Sequence, residues 1–130
     1  MANVLIIDDD PDFAEATSLQ LMAAGHSVQI ISEGRTALAS CLAAERTFVP
    51  DVILVDLYMP GIDGIQVIAA LRQAGVKTPI IAVSGGGSLR FAKMLEVAKF
   101  LGANASLAKP LALPEILALI AKFAPQERAA

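Results

Sequence analysis

"VLIIDDDPDF", residues 4–13, runs four apolar side chains straight into three consecutive carboxylates. Val4 to Ile7 are β-prone and show no apolar–polar alternation, the pattern of a strand buried on both faces of a parallel sheet. Beyond them Asp10 has the chemistry of a helix N-cap, and Pro11 suits the first helical position. The segment therefore reads as strand, turn and helix, the repeating unit of α/β folds. It also leaves Asp8 and Asp9 at the rim of a hydrophobic core. There, like charges repel and partial burial raises the cost of ionisation, so something must neutralise them.

The same unit recurs along the chain. Strands are expected over 4–7, 27–31, 52–55, 80–83 and 105–108, and helices near 11–24, 34–45, 64–74, 88–101 and 113–123. Leu113, Ile116, Leu117, Ile120 and Phe123 form one apolar stripe at helical spacing, and Phe91, Met94, Leu95, Ala98 and Leu101 form another. Five such units in 130 residues imply an α/β fold, a five-stranded parallel sheet with five helices on both faces. Parallel strands joined by right-handed crossovers all end on one edge, where open α/β sheets bind ligands.

Composition supports one folded domain, expected over 1–124 with a short tail at 125–130: 55% of residues are apolar and 18% charged. A net charge of −3 without a basic stripe argues against direct nucleic-acid binding. The apolar runs are too short to span a membrane, and the opening MANVLIIDDD is no signal peptide, so a cytoplasmic location is expected. Cys41, among Ala and Leu, reads as a small core residue.

The strand ends carry the chemistry. The first delivers Asp8 and Asp9, the third Asp56, the fourth Ser84, and the fifth Lys109 followed by Pro110. Carboxylates without Cys or His beside them are hard oxygen ligands suited to magnesium or manganese. Asp9 and Asp56 are expected to bind the ion directly, and Asp8 through a water. An ammonium and a hydroxyl are what a transferred phosphoryl group needs around its oxygens, and Asp56 has the chemistry of an aspartyl-phosphate nucleophile.

The motifs IIDDD (Asp8, Asp9), DLYMPGIDG beginning at Asp56, Ser84, and KP at Lys109–Pro110 stand in this order at suitable spacing. On them the chain resembles the receiver domain of two-component response regulators, of the stand-alone type, over essentially its whole length. The resemblance implies a flavodoxin-like sheet ordered 2-1-3-4-5. It implies that Asp56 is the phosphoacceptor and that magnesium is held by Asp9, Asp56 and the Tyr58 backbone carbonyl, with Asp8 as accessory acid. Ser84 takes the switch-hydroxyl position, Lys109 pairs with the phosphate, and the Lys109–Pro110 bond is expected to be cis. The implied donor is a phosphohistidine on a sensor histidine kinase or histidine phosphotransfer protein, and an unidentified downstream protein receives the signal. The chain would assist only its own phosphorylation and dephosphorylation.

Two features depart from the family pattern. Ser106 stands where an aromatic or His is common, and the segment after Ser84 is longer and opens with Gly85, Gly86 and Gly87. Output is therefore expected to depend on 85–101, where Val97 and Phe100 lie off the buried stripe. Asp63 and Gly64 read as a cap and turn, and His26 as a structural residue at the opposite sheet edge. Two other functions compete. Asp8-x-Asp10 superficially matches haloacid-dehalogenase-like phosphohydrolases, but Asp12 stands where that motif requires Thr or Val. A flavodoxin-like FMN carrier would need phosphate donors where Asp8 and Asp9 stand.

Overall fold

The computed structural model describes the backbone of residues 1–85 and 89–124, and the side chains of these apart from 89–91. The expectations placed on Gly86, Gly87, the Phe91 side chain and the tail 125–130 lie outside the described residues. The chain order is β1 (Asn3–Ile7), α1 (Pro11–Ala23), β2 (Ser27–Ile31), α2 (Gly34–Leu42), β3 (Val52–Asp56), α3 (Gly64–Gln73), β4 (Ile80–Gly85), α4 (Leu89–Leu101), β5 (Ala105–Lys109) and α5 (Leu113–Phe123). All strands are parallel, ordered β2-β1-β3-β4-β5, as the sequence leads one to expect.

The unbroken apolar runs of the inner strands feed two cores. Leu5, Ile7, Ile53, Val55, Ile80 and Ala82 face one side, with Ala37, Val67, Ile68, Leu71 and Ala98 from α2, α3 and α4. Val4, Ile6, Val52, Leu54, Ile81 and Val83 face the other, with Ala14 and Leu21 of α1 and Ile116 and Ile120 of α5. Successive strand residues point to opposite faces, so a strand with helices on both sides must be apolar throughout.

Helix starts follow local chemistry. Asp10 accepts from the Asp12 and Phe13 N–H groups, and Asp63 forms a capping box with Gln66. Gly25, with φ +99°, turns the chain after α1. The second helix stops at Leu42 instead of continuing to 45, because the Arg46 guanidinium donates to the Cys41 carbonyl at 3.1 Å and Ala43 is extended. Cys41 is buried, which pushes its thiol pKa up. His26 accepts the Ala2 N–H at its Nδ1 (3.0 Å), a structural role at the edge where the strands begin. Among the described residues, no helix is long and apolar enough to cross a membrane.

Arg72, near the end of α3, was not singled out in the sequence. Its guanidinium donates to the carbonyls of Val76, Thr78 and Gly102 and to Asn104 Oδ1, which also accepts the Ile80 N–H. One side chain thus ties α3 to the starts of β4 and β5. Charged donors contribute more than neutral ones, so Arg72→Ala is expected to lower stability by about 2–4 kcal/mol. Chemical denaturation is the check: a midpoint equal to that of the parent chain would show that water replaces these bonds at no cost.

Candidate functional site

Strand register assembles the site. Ile7 pairs with Val55, Asp56 with Val83, Ser84 with Ala108 and Gly85 with Lys109. The residues ending or directly following β1, β3, β4 and β5 therefore meet on one edge, with β3 in the middle of the sheet. Asp8 and Asp56 are buried and Asp9 is exposed, and one carboxylate oxygen from each lies within 4.8 Å of the others.

Each buried acid has identifiable partners. Asp8 Oδ1 accepts the Asp10 N–H at 2.9 Å, and Asp56 Oδ1 accepts the Tyr58 N–H at 3.3 Å. The Lys109 Nζ stands 2.8 Å from Asp8 Oδ2 and 3.8 Å from Asp56 Oδ2. Ser84 is fully buried and its hydroxyl donates to the Gly85 carbonyl at 3.2 Å. The Lys109–Pro110 bond is cis.

One lysine does not balance this site. Burial, then the neighbouring Asp8, pushes the Asp56 carboxyl up to about 6, against the opposing pull of Lys109 and the Tyr58 N–H, and Asp9 adds a further upward push. A cluster of hard oxygen donors with excess negative charge fits a small divalent cation, and soft or imidazole ligands are not part of it. The Lys109 ammonium sits against Asp8, and the three carboxylates together could hold a cation.

Two contributors escaped the sequence reading. Gly64, taken there for a turn residue, packs directly behind Asp56: a Cβ on it would run into the Asp56 carbonyl oxygen and the Leu57 Cα. Its own N–H donates to the Leu57 carbonyl at 3.3 Å. The glycine of DG at the start of a helix was the available signal, and close approach its unrecognised meaning. Phe13 places its ring centroid 4.1 Å from Lys109 Nζ. An aromatic in the first turn after the acids hints at this, but only the fold brings residue 109 to it.

Asp10 is exposed and engaged as the α1 cap, which removes the second acid of the phosphohydrolase reading. Ser106, paired with Ala82 in β5, is half-buried and lines a shallow groove with Ala105, Leu107, Ala118 and Leu119. Val97 and Phe100 are exposed, Phe100 at 90% of its surface, so α5 does not cover them.

Residues 4–121 match the family model described as "Response regulator receiver domain". "Response regulator MprA" from Mycolicibacterium vanbaalenii is 35% identical over 117 residues, covering 88% of this chain and 47% of that protein. "Transcriptional regulatory protein TcrA" from Mycobacterium tuberculosis is 31% identical over 117 residues, covering 88% of this chain and 43% of that one. The chain thus spans a little under half the length of these relatives. Among solved structures, the Francisella response regulator 1452 receiver domain superposes with a TM-score of 0.82 at 25% identity, covering 100% of both chains. The Vibrio cholerae chemotaxis protein CheY4 gives 0.76 at 30% identity, covering 95% of this chain and 98% of that one.

Proposed function

Because the chain belongs to the response regulator receiver domains, the phosphoacceptors of two-component signalling, we propose that Asp56 accepts the phosphoryl group and that a phosphohistidine donates it. The observation that carries this reading is the placement of Asp56 at the end of the middle strand, with Asp8, Asp9 and Lys109 around it.

Asp56 Oδ attacks the phosphorus, the P–N bond of the donor breaks, and its electron pair returns to the imidazole nitrogen, which takes up a proton. A carboxyl that titrates near 6 is mostly ionised at neutral pH and so is available as a nucleophile. Asp9, Asp56 and the Tyr58 carbonyl would hold magnesium or manganese, with Asp8 reaching it through a water, and the bound ion would offset the repulsion between an anionic nucleophile and an anionic donor. Lys109 already lies between the two buried acids, and its ammonium pairs with a phosphoryl oxygen once Asp56 has become an acyl phosphate. The Ser84 hydroxyl exchanges its bond to the Gly85 carbonyl for one to the phosphoryl group.

Receiver domains take phosphate from histidine kinases; for this chain the donor is a sensor kinase or a phosphotransfer protein. The receiver comprises 1–124 and works in the cytoplasm, and the downstream partner is a protein that contacts the 85–101 segment, where Val97 and Phe100 are exposed. Incubation with magnesium and acetyl phosphate is expected to add one phosphoryl group, located on Asp56 by peptide mass spectrometry. A label found on another residue, or formed equally well in chelator, would remove the basis of this assignment.

A further inference from the structure

The Lys109 ammonium is held on three sides, by Asp8 at 2.8 Å, by Asp56 at 3.8 Å, and by the face of the Phe13 ring at 4.1 Å from its centroid. In phosphoryl transfer Asp56 is the group that reacts, and Asp8 is the group that gives up the ammonium. The ring does neither. We propose that Phe13 is a positioning residue for Lys109, holding its ammonium in the site so that it can turn from Asp8 to the phosphoryl oxygens.

The chemistry of the contact suits that task. An aromatic face attracts a cation through its quadrupole, yet it neither removes the charge nor takes a strong hydrogen bond from the N–H groups. A third carboxylate in its place would compete with the phosphoryl group for the same ammonium. The lysine side chain is only 19% exposed, so the attraction acts in a partly desolvated setting where it is stronger than at an open surface. Position is assured by the fold: Phe13 sits in the first turn of α1, whose start is fixed by the Asp10 cap that accepts the Phe13 N–H itself. Its half-buried ring packs against the core on the α1 side of the sheet, which keeps the face turned to Lys109.

This inference rests on the phosphoacceptor reading of Asp56, and the test separates the two. The full chain and its Phe13→Leu, Phe13→Tyr and Lys109→Met variants are labelled with acetyl phosphate in saturating magnesium, and magnesium affinity is followed by the fluorescence of Tyr58, the single tyrosine in a chain without tryptophan. Phe13→Leu keeps apolar bulk but loses the ring, and is expected to slow labelling by about three- to thirtyfold. Phe13→Tyr is expected to restore most of the rate, and magnesium affinity to stay at the parent value in Phe13→Leu. In a Lys109→Met background, followed over a longer time course, adding Phe13→Leu is expected to have no further effect. Labelling of Phe13→Leu at the parent rate would overturn the proposal, as would an equal loss in the Lys109→Met background or a parallel loss in Phe13→Tyr. If the parent chain itself takes no label on Asp56, the failure lies in the phosphoacceptor reading and not in the role of Phe13.

Discussion

Asp56→Asn is expected to abolish phosphoryl transfer and, at the same time, to make the protein more stable at neutral pH. The amide keeps the shape of the side chain and removes the anionic nucleophile, so labelling by acetyl phosphate should fall below detection. Stability rises for a separate reason. In the fold, burial and Asp8 raise the Asp56 pKa from 3.8 to about 6. Between those values the native state holds a proton that the unfolded chain has released, so this residue's contribution to stability falls as pH rises from about 4 to 6 and stays low above. The full difference corresponds to about 3 kcal/mol in the parent chain, and replacing the carboxylate with a neutral amide is expected to recover about 1–3 kcal/mol at pH 7.5. Thermal melts in chelator across this pH range are the measurement. The parent curve should decline across the window where the variant's does not, and identical curves would mean that Asp56 carries no strained charge.

Gly64→Ala is the second change with a large effect, and it acts on the fold and the site together. The added methyl would meet the Asp56 carbonyl and the Leu57 Cα, both backbone, so no side chain can swing aside. Overpacking of this kind costs about 1–3 kcal/mol, and the segment that must move is the one that carries Asp56. A displacement approaching 1 Å at the nucleophile slows labelling by about 10- to 100-fold. Gly75→Ala is the comparison. Gly75 lies just past the other end of the same helix, at φ +84° with open space where the Cβ would stand. It should lose about 1 kcal/mol through left-handed strain and label at the parent rate. Parent-like labelling and melting of Gly64→Ala would show that the backbone behind Asp56 yields easily, against the close packing described above.

How much of this was legible in the chain follows from how local each determinant is. Val4 to Ile7 and Val52 to Val55 announce a doubly covered strand by composition alone, because each side chain on such a strand must be apolar whichever way it points. Asp10 and Asp63 mark helix starts through hydrogen bonds that reach only two or three residues, and Pro11 does so through its fixed φ. From these the parallel sheet follows. The gathering of Asp8, Asp9, Asp56, Ser84 and Lys109 follows as well, since strands that all run parallel end on one edge of the sheet. Even the early stop of α2 has a local cause, but the sequence did not say that Arg46 would turn back to the Cys41 carbonyl rather than extend into water.

Distances between residues far apart in the chain were decided by the tertiary structure alone. Nothing in the order of residues sets the Lys109 ammonium nearer Asp8 than Asp56, or lays it over the face of Phe13. Nothing in it tells that Gly64 is needed because a backbone passes behind it, or that Arg72 reaches across to Gly102 and Asn104. The raised pKa of Asp56 belongs to the same class, since it is set by burial and by a neighbour on another strand. Sequence patterns record which face a residue must present to a core, a property each residue carries in its own side chain. Electrostatic and packing energies depend on separation and on the medium between groups, and these exist only once the strands have paired.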